Sequence, residues 1–156
     1  MTSPAHPRYR LDHVGITVPD LESAVNFFTA HLDAEVLFAL DRFVDESGAA
    51  AARLGAPPEA SFALAMLRLG EARVELLQWW DADSGGMAAH HRGGGAHLAL
   101  AVRDAAAARQ RLAEVPGVRA MGEAVTFSDG PTPGLTNAFV ESPWGLLIEL
   151  MSWPDD

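Results

Sequence analysis

The chain has 156 residues, 49% of them hydrophobic, with no cysteine and no lysine. That is apolar material for one compact domain or two small joined halves, and it excludes disulfide staples, thiolate metal ligands, cysteine nucleophiles and Schiff-base chemistry. A formal charge of −10, from 21 acidic against 11 basic residues, repels phosphate backbones and argues against nucleic acid as a partner. No apolar run approaches the roughly 20 residues of a membrane span. No apolar leader opens the chain, so a cytoplasmic location is expected.

Residues 11–18 (LDHVGITV) alternate as a strand: Val14, Ile16 and Val18 share one face, and Leu11, His13, Gly15 and Thr17 the other. Asp20 is an N-cap for a helix ending near His31, with Leu21, Ala24, Val25 and Phe28 as its apolar stripe. A second strand is expected over 34–40 and a short helix within 46–54, broken by Gly55-Ala56-Pro57-Pro58. Segments 62–69 and 73–79 read as a hairpin. The first module, residues 9–80, is therefore β-α-β-β-β. Residues 81–95 carry Gly85-Gly86 and Gly93-Gly94-Gly95 and read as a flexible linker.

The pattern then restarts as a second module, residues 96–153. A strand over 96–102 puts Leu98, Leu100 and Val102 on one face and His97 on the other. Asp104 caps a helix to about Glu114, short strands are expected at 118–121 and 123–127, and 137–141 with 146–151 form a last hairpin. Residues 128–134 read as a loop. His13, Val18, Asp20 and Ala24 recur as His97, Val102, Asp104 and Ala108 at an offset of 84, and VELLQW at 74–79 recurs as IELMSW at 148–153, an offset of 74. This is an internal repeat.

Strand phase turns the repeat into a statement about a site. The apolar residues of the opening strands must cover the helices, so His13 and His97 face away from them. On the closing strands Val74 and Leu76, or Ile148 and Leu150, take the core phase, which leaves Glu75 and Glu149 on the side of the histidines. A glutamate inside an apolar strand is expensive to bury unless it is paired or coordinates a cation. It occurs twice, at equivalent places. His13, Glu75, His97 and Glu149 are therefore expected to hold one divalent ion (Mn²⁺, Fe²⁺, Co²⁺, Ni²⁺ or Zn²⁺).

The segments DHVGITVPDLESAVNFF, VELLQW, HLALAV and SPWGLLIELMSWP resemble the vicinal oxygen chelate superfamily, which includes glyoxalase I, methylmalonyl-CoA epimerase, extradiol dioxygenases and bleomycin-resistance proteins. The resemblance implies an α+β fold of two βαβββ modules forming an open eight-stranded cup, with His13, Glu75, His97 and Glu149 at the family's ligand positions. It implies a metal-dependent isomerase or lyase that chelates two neighbouring oxygens of a small substrate and shifts a proton through an enediolate or enolate. Glu149 is the first choice for the base, with Glu75 on the opposite face. Met66, Arg68, Leu77, Trp79, Phe139, Met151 and Trp153 share the cup-facing phase and are candidate substrate contacts. Asp45 or Glu46 is a further candidate base, and acidic loop residues are usually only solvated. A homodimer is expected from family habit. Two other activities stand as alternatives: an extradiol-type ring-cleaving dioxygenase, which a fourth carboxylate ligand argues against, and a non-catalytic small-molecule (drug) binding protein, which the full ligand set argues against.

Overall fold

A computed structural model describes residues 9–83 and 85–154. The chain divides between Ser84 and Gly85 into two compact units. The first runs β1 (Val14–Thr17), α1 (Leu21–His31), β2 (Glu35–Phe43), α2 (Ala49–Arg53), β3 (Ser61–Leu69) and β4 (Ala72–Trp80). Its sheet has the order β1-β4-β3-β2, with β1 parallel to β4 and the other pairs antiparallel. Ile16, Val18, Ala65, Leu67, Val74 and Leu76 are buried on one face together with Ala24, Phe27 and Phe28 of α1, and α1 lies on β2, β3 and β4. Burying a side chain such as Phe28 removes it wholly from water, worth about 1.5–3 kcal/mol each by transfer.

The second unit runs β5 (His97–Ala101), α3 (Ala105–Ala113), β6 (Arg119–Thr126), β7 (Thr136–Glu141) and β8 (Leu147–Ser152). Its sheet order, β5-β8-β7-β6, repeats the first, again with one parallel pair. Ala105, Ala108 and Leu112 of α3 are buried with Ala138, Val140, Ile148 and Leu150. The eight strands thus form two four-stranded sheets of matching topology, an α+β fold.

The repeat extends to individual hydrogen bonds. Asp20 Oδ1 accepts from Ser23 N at 2.7 Å, and Asp104 Oδ1 from Ala107 N at 2.9 Å. The next free amide of each helix is also met from the closing strand: Leu21 N donates to Gln78 Oε1 at 2.8 Å, and Ala105 N to Ser152 Oγ at 3.2 Å. Val18 N→Leu77 O and Val102 N→Met151 O, both 2.8 Å, tie the end of each opening strand to the closing one. These bonds lock helix, opening strand and closing strand together in each unit, which sets the height of the histidine against the glutamate.

Asp20→Ala is expected to destabilise the chain by about 1 kcal/mol in urea unfolding near neutral pH. The backbone amide of Ser23, and then its side chain, hold the Asp20 carboxyl below the ordinary carboxylate range. Its folded pKa lies below the unfolded value of about 3.9, so the contribution is present above that value and is lost as pH falls through the folded pKa. The difference between variant and wild type should therefore shrink in acid.

Some expectations are corrected. The first strand begins at Val14 and not at Leu11, because pairing with β4 starts at Val14↔Val74, so His13 stands just ahead of it. The two short strands expected at 118–121 and 123–127 are one strand, β6, with an irregularity: Met121 pairs with Phe139 and Val125 with Asn137, so three residues oppose Ala138 alone. Gly122, at φ 61°, supplies the left-handed backbone the bulge needs.

Candidate functional site

In the first unit the register Gly15↔Glu75 and Met66↔Glu75 places Glu75 between β1 and β3 on the face opposite α1. His13 Nε2 lies 3.6 Å from Glu75 Oε2. Its other nitrogen, Nδ1, lies 2.9 Å from Asp12 Oδ1, and Arg73 approaches Asp12 Oδ2 at 3.7 Å. The hydrogen bond from His13, followed by the charge of Arg73, holds the Asp12 carboxyl below the ordinary range. An ionised Asp12 can only accept, so Nδ1 carries a proton and Nε2 is the nitrogen turned toward Glu75. Gly15 lies beside the carboxylate: a Cβ there would stand in van der Waals contact with Glu75 Oε2, at 3.6 Å.

In the second unit the register Ala99↔Glu149 and Phe139↔Glu149 sets Glu149 in the equivalent place. His97 Nε2 lies 3.2 Å from Glu149 Oε2, and Asn137 Nδ2 donates to the other oxygen, Oε1, at 3.2 Å. The exposed His90 ring meets the His97 ring at 4.7 Å, nearly edge to face. The chain doubles back there, with Arg92 N→Ala89 O and Gly95 N→Arg92 O closing the turn. A Cβ at Gly95 would come within 2.4 Å of Ala89 O, so only glycine lets the strand entry pass that close.

The donor set fits a cation. In each pair an imidazole nitrogen faces a carboxylate oxygen, at 3.6 Å in the first unit and 3.2 Å in the second, and both are donor atoms that a divalent cation accepts. Two ligands at right angles on one ion, each about 2.1 Å away, stand about 3.0 Å apart, close to the 3.2 Å of the second pair and shorter than the 3.6 Å of the first. The glutamates are partly buried, with 21% and 16% of their side chains exposed, and both histidines are 36% exposed, so the donors are desolvated yet reachable. Each unit holds one such pair. Among the described residues, no group of three or more histidines, cysteines or acids is placed to hold a metal.

The remaining candidates are distributed as follows. Met66 is buried and in register with both Glu75 and Phe38. Trp79 packs on Phe62 at 5.0 Å between ring centroids, and Phe62 on Phe43 at 5.9 Å, forming an aromatic row across three strands. Phe139 and Met151 are half-buried on the Glu149 face, whereas Trp153 is exposed beyond the end of β8. Arg68 is ion-paired with Glu35 across β2 and β3. Asp45 accepts from Ser47 and from Ala50 N at the start of α2, a turn-forming role. Sequence reasoning overlooked Asp12, Asn137 and the approach of His90 to His97. For Asp12 the Asp-His dipeptide was the available signal. For Asn137 it was an amide in the same strand phase as Phe139.

Residues 12–132 match the family model described as the glyoxalase/bleomycin resistance protein/dioxygenase superfamily. The chain is 38% identical over 145 residues to a 2-epi-5-epi-valiolone epimerase from an Actinomyces species, covering 91% of this chain and 78% of that protein. It is 32% identical over 152 residues to the lactoylglutathione lyase of Salmonella typhi, covering 94% of each. Among solved structures, a glyoxalase family protein from Bacillus cereus superposes with a TM-score of 0.72 at 21% identity, over 97% of this chain and 98% of that one. That likeness concerns the fold alone.

Proposed function

Because the chain belongs to the glyoxalase/bleomycin resistance protein/dioxygenase superfamily, we propose that it is a metal-dependent isomerase or lyase of the epimerase and glyoxalase type. Its substrate is a small molecule with two neighbouring oxygens. The modules 9–80 and 96–153, joined by 81–95, each contribute one histidine and one glutamate to a single divalent ion. The observation that carries this reading is the repeated pair of facing donors, His13 with Glu75 at 3.6 Å and His97 with Glu149 at 3.2 Å. The names of the relatives, an epimerase and a lyase, support the reaction class.

When bound, the ion would supply Lewis acidity, making a hydrogen on the carbon beside a substrate carbonyl easier to remove. The residues do the rest. Asp12 holds His13 in the tautomer that leaves Nε2 free. Glu75 and Glu149 are the carboxylates available to take that proton and return it to carbon. Met66, Trp79, Phe139, Met151 and Trp153 offer apolar contact to the carbon frame of the substrate. Arg68 is already matched by Glu35. The edge strand β2 exposes Val36, Leu37, Phe38, Leu40 and Phe43, an apolar surface that supports the expectation of a homodimer.

The test is wash-in of solvent deuterium. Metal-loaded protein in D₂O is offered 2-epi-5-epi-valiolone, a glutathione hemithioacetal and an acyl-CoA ester in separate reactions, followed by proton NMR. Deuterium should enter a carbon-bound position of one of them and should stop when a chelator is added. No exchange with any of the three, or exchange indifferent to chelator, contradicts the proposal.

A further inference from the structure

The repeat lets the two half-sites be compared position by position, and they differ in a reciprocal way. At the offset of 84, Asp12 corresponds to Ala96, so among the described residues a carboxylate meets the Nδ1 side of the imidazole in the first unit only. In the closing strands Leu77 corresponds to Met151. Leu64 pairs with Leu77, as Asn137 pairs with Met151. The position that gives Glu149 an amide donor therefore gives Glu75 an aliphatic side chain. Among the described residues His13 is the one polar partner of Glu75.

We propose that Asn137 is a positioning residue that fixes Glu149 as the anchored carboxylate of the metal site. The inference rests on the metal-site reading above and distinguishes two glutamates that the repeat otherwise makes equivalent. Asn137 holds Oε1 at 3.2 Å while Oε2 faces His97 Nε2 at 3.2 Å, so both oxygens of Glu149 have assigned directions. An amide N–H donated to a carboxylate oxygen selects one rotamer, which lowers the entropy lost when the group takes up a cation. Asn137 reaches Glu149 diagonally across β7 and β8, where the pair is part-buried and poorly replaced by water. Among the described residues Glu75 has no such amide donor.

The experiment measures Co²⁺ affinity of the full-length chain by titration calorimetry, with circular dichroism to confirm folding. Asn137→Leu installs the side chain that the repeat already accommodates at Leu64. Asn137→Ser keeps a polar group too short to reach Glu149. Each variant should bind Co²⁺ about 10–100-fold more weakly than wild type. The double variant Glu149→Gln with Asn137→Leu should bind within about twofold of Glu149→Gln alone, because a residue acting through Glu149 has nothing left to position. Wild-type affinity in both Asn137 variants, or losses that multiply in the double variant, overturns the role of Asn137. A wild-type chain that takes up no Co²⁺ overturns the metal-site reading, and this one with it.

Discussion

Glu75→Gln is expected to slow exchange of the substrate's carbon-bound hydrogen by about 10²–10⁴-fold while the protein still takes up metal. Glutamine keeps the length, shape and one carbonyl oxygen of the side chain, so it can remain a neutral ligand, but it cannot accept a proton at neutral pH. Glu75 is the carboxylate singled out because, among the described residues, no amide donates to it where the repeat has Leu64, whereas Asn137 restrains Glu149. The family resemblance alone points first to Glu149 as the base, so the comparison is decisive. Deuterium wash-in with metal-loaded Glu75→Gln and Glu149→Gln should show the larger loss of exchange per bound ion in the former and the larger loss of metal affinity in the latter. Full exchange in Glu75→Gln returns the base to Glu149.

Removing one whole half-site should have an equally large effect, on metal binding. Replacing His13 and Glu75 together by alanine leaves His97 and Glu149 in place, yet Co²⁺ affinity should fall by more than the about 100-fold that loss of an outer partner produces. Two protein donors plus water form a far weaker site than four. The change should leave the fold standing. His13 and Glu75 lie on the face away from α1, while the buried residues Val74, Leu76 and Leu67 and the helix side chains Ala24 and Phe28 are untouched. Retained melting behaviour with lost Co²⁺ binding is the expected pair of results. Retained Co²⁺ affinity would mean that the two pairs act separately.

Much of this was readable from residue order because it depends on local rules. Alternation assigned Glu75 and Glu149 to the faces opposite Val74 and Ile148, and around them burial follows it: Val74, Leu76, Ile148 and Leu150 buried, the glutamates partly so, although Leu77 on the Glu75 face is buried as well. Asp20 and Asp104 cap their helices because a short carboxylate ahead of an apolar stripe has one good use. The repeat at offsets of 84 and 74 carried the fold, since two copies of one pattern are expected to build two copies of one sheet.

What could not be read depends on which strand lies beside which, and at what register. Asn137 acts on Glu149 only because β7 and β8 pair with Phe139 opposite Glu149, which brings the amide diagonally into reach. Arg68 meets Glu35 because β2 sits next to β3, a neighbour that periodicity within one strand does not identify. The bulge at Gly122 merges two expected strands into one, since a glycine looks like a break until the partner strand is seen to continue past it. His90 reaches His97 through a turn closed by Gly95, although the same glycine run read as a flexible linker.

The central claim is that two equivalent half-sites serve one ion. It is tested most directly by the stoichiometry of Co²⁺ binding to metal-free, full-length protein. The account predicts one ion per chain, a ratio that holds whether the paired half-sites come from one chain or from two, and no binding of comparable strength once either half-site is removed. Two ions per chain, or none, would contradict it.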